Sequence, residues 1–186
     1  MNSKIITLMI VLSVLYYNNA AAKTINALDV LSFEVNDATQ VTVGPYKQGD
    51  FQIYTAALVD PEDRLLGEFH IQDFSKQYTN WKEVLVSPTY DLDGYKSAIT
   101  TLFPNTLIST LTWVSAEKNN INDKQVYTYI FDYTNSKLSI THRFKCYILI
   151  QNSYLIRCYA GTPQAEFEKN SKIIDSIIES VRFVQN

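Results

Sequence analysis

An α+β fold, with helices packed on a mostly antiparallel β-sheet, is what the sequence predicts, and three observations predict it. Residues 124–160 alternate with period two through three consecutive runs separated by tight turns. Two stretches between residues 73 and 103 carry apolar residues at helical spacing, each closed by a proline. Residues 164–181 carry a longer apolar stripe of the same kind.

The central meander is the firmest element. Tyr127, Tyr129, Phe131 and Tyr133 share one face of the first strand; Leu138, Ile140, His142, Phe144, Cys146, Ile148 and Ile150 share one face of the second. Tyr154, Ile156, Cys158 and Ala160 share one face of the third. A two-residue turn at Asn135-Ser136 pairs Tyr129 with His142 and puts both apolar rows on one side. A two-residue turn at Asn152-Ser153 would pair Cys146 with Tyr159 and mix the rows. A three-residue loop, Gln151–Ser153, pairs Cys146 with Cys158 and keeps them apart from the polar row, so the pattern selects it. That register predicts a disulfide between Cys146 and Cys158; the alternative is two buried thiols.

Met1–Ala22 reads as a secretory signal peptide, with Lys4, an apolar run Ile5–Leu15 and a small-residue site Ala20–Ala22. Cleavage is expected before Lys23, and an uncleaved anchor is the alternative. No cysteine follows the apolar run to take a lipid, and no later run is long enough to span a membrane. A secreted or periplasmic location follows, with residues 23–186 as one globular domain. The formal net charge of −3 argues against nucleic acid as a partner.

Strands are expected over Val30–Val35, Gln40–Val43, Phe51–Leu58 and Leu65–Gln72, punctuated by turns at Gly44-Pro45, Gly49-Asp50 and Asp60–Asp63. Helices are expected over Asp73–Val86 and Asp91–Phe103, followed by a strand Leu107–Ala116 and a polar loop Glu117–Asp123. Thr162 and Pro163 open the last helix, Gln164–Val181, and Arg182–Val184 extends beyond it.

The order of elements resembles a known family. Gln125–Tyr133 (QVYTYIFDY), the strand pair through Ile148–Cys158 and the closing Ile173–Phe183 (IIDSIIESVRF) look like the C-terminal half of PsbP-like domains. That group includes the extrinsic photosystem II subunit and DcrB-type bacterial envelope proteins. The resemblance implies an α/β/α sandwich and covers about Lys124–Val184. Asp123-Lys124 stands where a glycine is common in the family. Such a fold implies no activity by itself.

Catalytic signatures are absent: the sequence has no G-x-S-x-G, H-E-x-x-H, P-loop or dinucleotide fingerprint, and its histidines are His70 and His142. Turns and helix caps account for the acidic clusters at Asp60–Asp63 and Asp91–Asp93, so no metal and no cofactor is expected. The tyrosine row is either core beneath the last helix or a stacking platform. In the chosen register Arg143, Lys145 and Arg157 cluster beside Tyr147 on the other face. They form either a solvated face paired with Asp132 or a covering helix, or a site for a small anionic ligand or a protein partner. The resulting expectation is an exported, non-enzymatic accessory or binding protein. The alternative is a secreted hydrolase with its site near His70 or His142.

Overall fold

The computed structural model describes residues 22–27, 30–48, 51–122 and 124–183. The expected signal peptide up to residue 21 and the turn expected at Gly49-Asp50 lie outside the described residues. Among the described residues, ten strands and three α-helices follow one another as β1 (Ala22–Ala27), β2 (Leu31–Asn36), β3 (Gln40–Gln48), β4 (Phe51–Val59), β5 (Leu65–Asp73), α1 (Trp81–Leu85), α2 (Leu92–Leu102), β6 (Ser109–Ile121), β7 (Lys124–Asn135), β8 (Ile140–Gln151), β9 (Tyr154–Pro163), α3 (Phe167–Ser180) and β10 (Arg182–Phe183). Seven strands form one antiparallel sheet in the order β3-β4-β5-β9-β8-β7-β6. A smaller sheet has the order β1-β2-β10.

Both faces of the large sheet are covered. On one face Phe74, Leu85 and the α2 residues Tyr95 and Ile99 bury Tyr129, Phe131, Cys146, Ile148 and Leu155. On the other, α3 contributes Ile174, Ile177 and Ile178, and β2 contributes Leu31, Phe33 and Val35, over Phe69, Leu149, Ile156 and Cys158. Each of these α3 isoleucines is at most 2% exposed, worth about 1.5–3 kcal/mol apiece by transfer. The tyrosine row is therefore core, but α2 and Phe103 cover it. The C-terminal helix expected there lies on the opposite face.

Local chemistry sets the helix ends. The Asp91 carboxylate accepts from Gly94 N at 2.8 Å and starts α2. The helix expected over Asp73–Val86 is interrupted: a 3₁₀ turn at Phe74–Lys76 stops at Gln77, and α1 begins only at Trp81. Thr79 and Asn80, poor helix formers, occupy the gap. Pro163 has φ −50° and ψ 137° and pairs with His142, so it ends β9 and is the cap, not the first helical residue, of a 3₁₀ turn Gln164–Glu166 that leads into α3. Gly44 and Pro45 do not turn the chain; they sit within β3, an edge strand where proline's missing N–H is tolerated. The loop expected at Glu117–Asp123 is mostly strand, since β6 runs to Ile121.

The two central hairpins decide where the candidate side chains point. In the first, Tyr133 faces His142 and Tyr129 faces Cys146, with Ser136–Ser139 as the loop. The partners differ from the expected ones by four positions, an even shift that keeps every side chain on its expected face. In the second, Gln151 pairs with Tyr154 and Cys146 with Tyr159. Asn152-Ser153 is thus a two-residue turn, with Asn152 at φ 53°, a left-handed conformation that asparagine tolerates. This odd shift turns all of β9 over.

The disulfide expectation is corrected accordingly. Cys146 lies in the core beneath α2 and Cys158 in the core beneath α3, and both are free thiols. Side chains leaving opposite faces of the sheet cannot meet at disulfide geometry. Burial pushes both thiols up, Cys146 with a further contribution from neighbouring Cys158. Intact mass is therefore expected at the dithiol value. Iodoacetamide at pH 8 should modify neither cysteine in the native protein and both in denaturant. Rapid native alkylation at either position contradicts this placement.

Candidate functional site

The flipped register divides the expected basic patch. Arg143, Lys145 and Tyr147 stay together on the α3 face, while Arg157, paired with Ile148 and His70, points to the opposite one. The residues that remain are engaged. Arg143 donates from Nε and Nη2 to the two Asp132 oxygens at 2.7 and 2.8 Å, and that bond strengthens its hold on its proton. Lys145 Nζ donates to both Asp175 oxygens at 2.7 and 2.9 Å and to Ser171 Oγ at 2.9 Å. Tyr147 donates its hydroxyl to Asp175 as well. Burial first, then that hydrogen bond, pushes the Tyr147 phenol up. A polar cleft of about 400 Å³ opens beside this cluster, lined by Lys145, Tyr147, Asp175, Glu117, Thr128 and Glu179 among others. Its buried cation is already neutralised.

Arg157 leads to a different place. It lines a cleft of about 560 Å³ together with Thr55, Glu68, His70, Leu102, Phe103, Phe144 and Tyr159. The polar members come from β4, β5 and β9, whose register sets Thr55 opposite His70, His70 opposite Arg157 and Glu68 opposite Tyr159. Directly paired residues share a face. The apolar members are Leu102 and Phe103 at the end of α2 and Phe144 on β8.

The electrostatics of this cleft are unsaturated. Arg157 donates from Nη2 to Gln72 Oε1 at 3.1 Å, but its Nε is buried with no hydrogen-bond partner among the described residues. His70 Nε2 sits 3.3 Å from Glu68 Oε2, near enough for an ion pair when the ring is protonated, yet without hydrogen-bond geometry. The His70 ring meets Tyr159 edge-on at 5.4 Å. Burial pushes the Tyr159 phenol up, against the opposing charge and side-chain hydrogen bond of Arg157. An unpaired buried guanidinium N–H costs about 1–3 kcal/mol.

The hydroxyl opposite His70, on Thr55, makes a long 3.5 Å contact with Gly44 O. His142 pairs with Tyr133 and Pro163 and does not line this cleft. The acidic clusters have structural tasks: Asp60 accepts from Glu62 N, Arg64 N and Arg64 Nε at 2.8–2.9 Å, and Asp91 caps α2.

Sequence reasoning missed Thr55, Glu68 and Phe103 as neighbours of Arg157. One signal was available. Glu68, His70 and Gln72 alternate with Phe69 and Ile71 in β5, which places a polar row on one face of a strand that is central in the sheet.

No protein-family model matches the chain, and no curated protein matches it. In three dimensions it is similar to the solution structure of cyanobacterial PsbP (CyanoP) from Synechocystis sp. PCC 6803, with a TM-score of 0.62 at 11% identity over 88% of this chain and 93% of that one. It also matches LpqN, involved in cell envelope biogenesis of Mycobacterium tuberculosis, with a TM-score of 0.47 at 9% identity over 88% of this chain and 91% of that one. Among the described residues no helix is long and apolar enough to cross a membrane. With antiparallel sheets, helices packed on them and this likeness to CyanoP, the chain has an α+β, PsbP-like fold.

Proposed function

We propose that this is an exported, non-catalytic binding protein of the cell envelope or extracellular space, and that it takes a small anionic ligand in the His70–Arg157 cleft. One observation carries the reading: Arg157, the permanent cation among the lining residues, borders a cleft of about 560 Å³, a size typical of small-molecule sites. The leader-like Met1–Ala22 supports export, and cleavage before Lys23 leaves the pairs from Lys23↔Val35 to Ala27↔Leu31 intact. Arg143, Lys145 and Tyr147 serve structure in this reading, because each already has a partner of its own.

Titration of the purified chain with benzoate, acetate and phosphate tests the proposal. At least one anion should bind, and Arg157→Met should weaken it tenfold or more, about 1.4 kcal/mol. Reversing Lys145 to Glu should leave that affinity unchanged in any variant that still folds. Binding indifferent to Arg157 overturns the assignment.

A further inference from the structure

We infer that the ligand of this cleft is an amphipathic monocarboxylate, with its carboxylate on Arg157 and its hydrocarbon along Leu102, Phe103 and Phe144; this rests on the anion-binding reading above. Polar and apolar groups are segregated around the cleft. Thr55, Glu68, His70, Arg157 and Tyr159 rise from β4, β5 and β9, whereas the apolar wall comes from the end of α2 and from β8.

Charge limits the head group. Arg157 is the permanent cation among the lining residues, and Glu68 stands on the same face. A dianion such as phosphate meets one guanidinium and one opposing carboxylate, whereas a monoanion brings a single charge to Arg157 and less repulsion from Glu68. Geometry points the same way. Nη2 donates to Gln72, and the remaining N–H groups of the planar guanidinium fork match the geometry of a carboxylate.

The apolar wall is rigid and only partly covered. Phe103 packs against Phe131, Tyr133 and Phe144 at centroid distances of 5.0, 5.3 and 4.9 Å. Phe144 stacks on Phe131 at 5.1 Å and 8°. At the rim Leu102 is 58% exposed, an aliphatic surface that a hydrocarbon chain removes from water. Rings fixed by their neighbours lose little freedom when a ligand docks on them.

Calorimetric titration with acetate, decanoate and decanol, each below its aggregation concentration, tests the assignment. Decanoate should bind at least tenfold more tightly than acetate and than decanol. Arg157→Met should cost decanoate tenfold or more and leave decanol within twofold. Leu102→Ser, at an exposed position, should weaken decanoate several-fold with an unchanged melting temperature. Equal affinity for acetate and decanoate, both dependent on Arg157, overturns the amphipathic ligand and leaves the anion site standing. Decanoate binding that ignores Arg157 overturns both.

Discussion

Replacing Asp175 with alanine is expected to destabilise the protein by about 2–4 kcal/mol. Its carboxylate receives Lys145 Nζ on both oxygens and the Tyr147 hydroxyl on one. The Lys145 side chain is only 13% exposed, so losing the carboxylate leaves a nearly buried ammonium with Ser171 Oγ and the face of the Tyr147 ring as its remaining partners. Tyr147, 3% exposed, loses its acceptor as well. Breaking a fully buried pair from one side costs about 3–5 kcal/mol. Asp175 itself is 36% exposed, so water reaches the gap and the expected cost falls below the top of that range. Lys145→Met should cost less, because it removes the cation and fills its apolar path while Asp175 keeps Tyr147 and water. Denaturant unfolding of both variants measures the difference. A loss under 0.5 kcal/mol for Asp175→Ala contradicts the network.

Gly161→Ala should cost about 1–2 kcal/mol and also disturb the cleft. An alanine normally stabilises a strand over glycine by about 0.5–1 kcal/mol. Here a Cβ meets three atoms of the Phe144 ring at 2.3, 2.6 and 2.9 Å, so the clash decides the sign. The ring cannot swing freely, since Phe131 stacks on it and Phe103 leans against it. Overpacking of this kind costs about 1–3 kcal/mol. Because Phe144 forms a wall of the cleft, ligand affinity should fall too. Coupling provides the control: in a Phe144→Leu background, Gly161→Ala should cost less than half as much. Additive costs in the double variant would show that the ring is not the obstacle.

The sequence made the sheet legible and the site only half so, and the two central hairpins show why. Alternation identified every strand of the meander, and it kept the right faces in the first hairpin even with the partners four residues off. Faces survive an even shift. The second hairpin was judged by keeping apolar rows together, an argument valid for a sheet with one wet face. This sheet is covered on both, by α2 on one side and α3 with β2 on the other, so β9 carries buried side chains on each face: Leu155 on one, Ile156 and Cys158 on the other. Hydrophobicity then cannot choose the register, and turn chemistry at Asn152-Ser153 does. Arg157 and the cysteine pairing both followed from that one choice. Asp132 as the partner of Arg143 is by contrast readable from the charges, as is a covering helix for Lys145 in general terms, although the last helix itself is expected on the tyrosine face.

A crystal of the full chain soaked with 4-bromobenzoate tests the central claim, that Arg157 and His70 form the binding site on the α2 face. The bromine marks the ligand by anomalous scattering. A bromine peak is expected between Leu102, Phe103 and Phe144, with the carboxylate within hydrogen-bonding distance of the Arg157 guanidinium. A peak beside Lys145 and Tyr147 on the α3 face, or an empty cleft at saturating ligand, contradicts it.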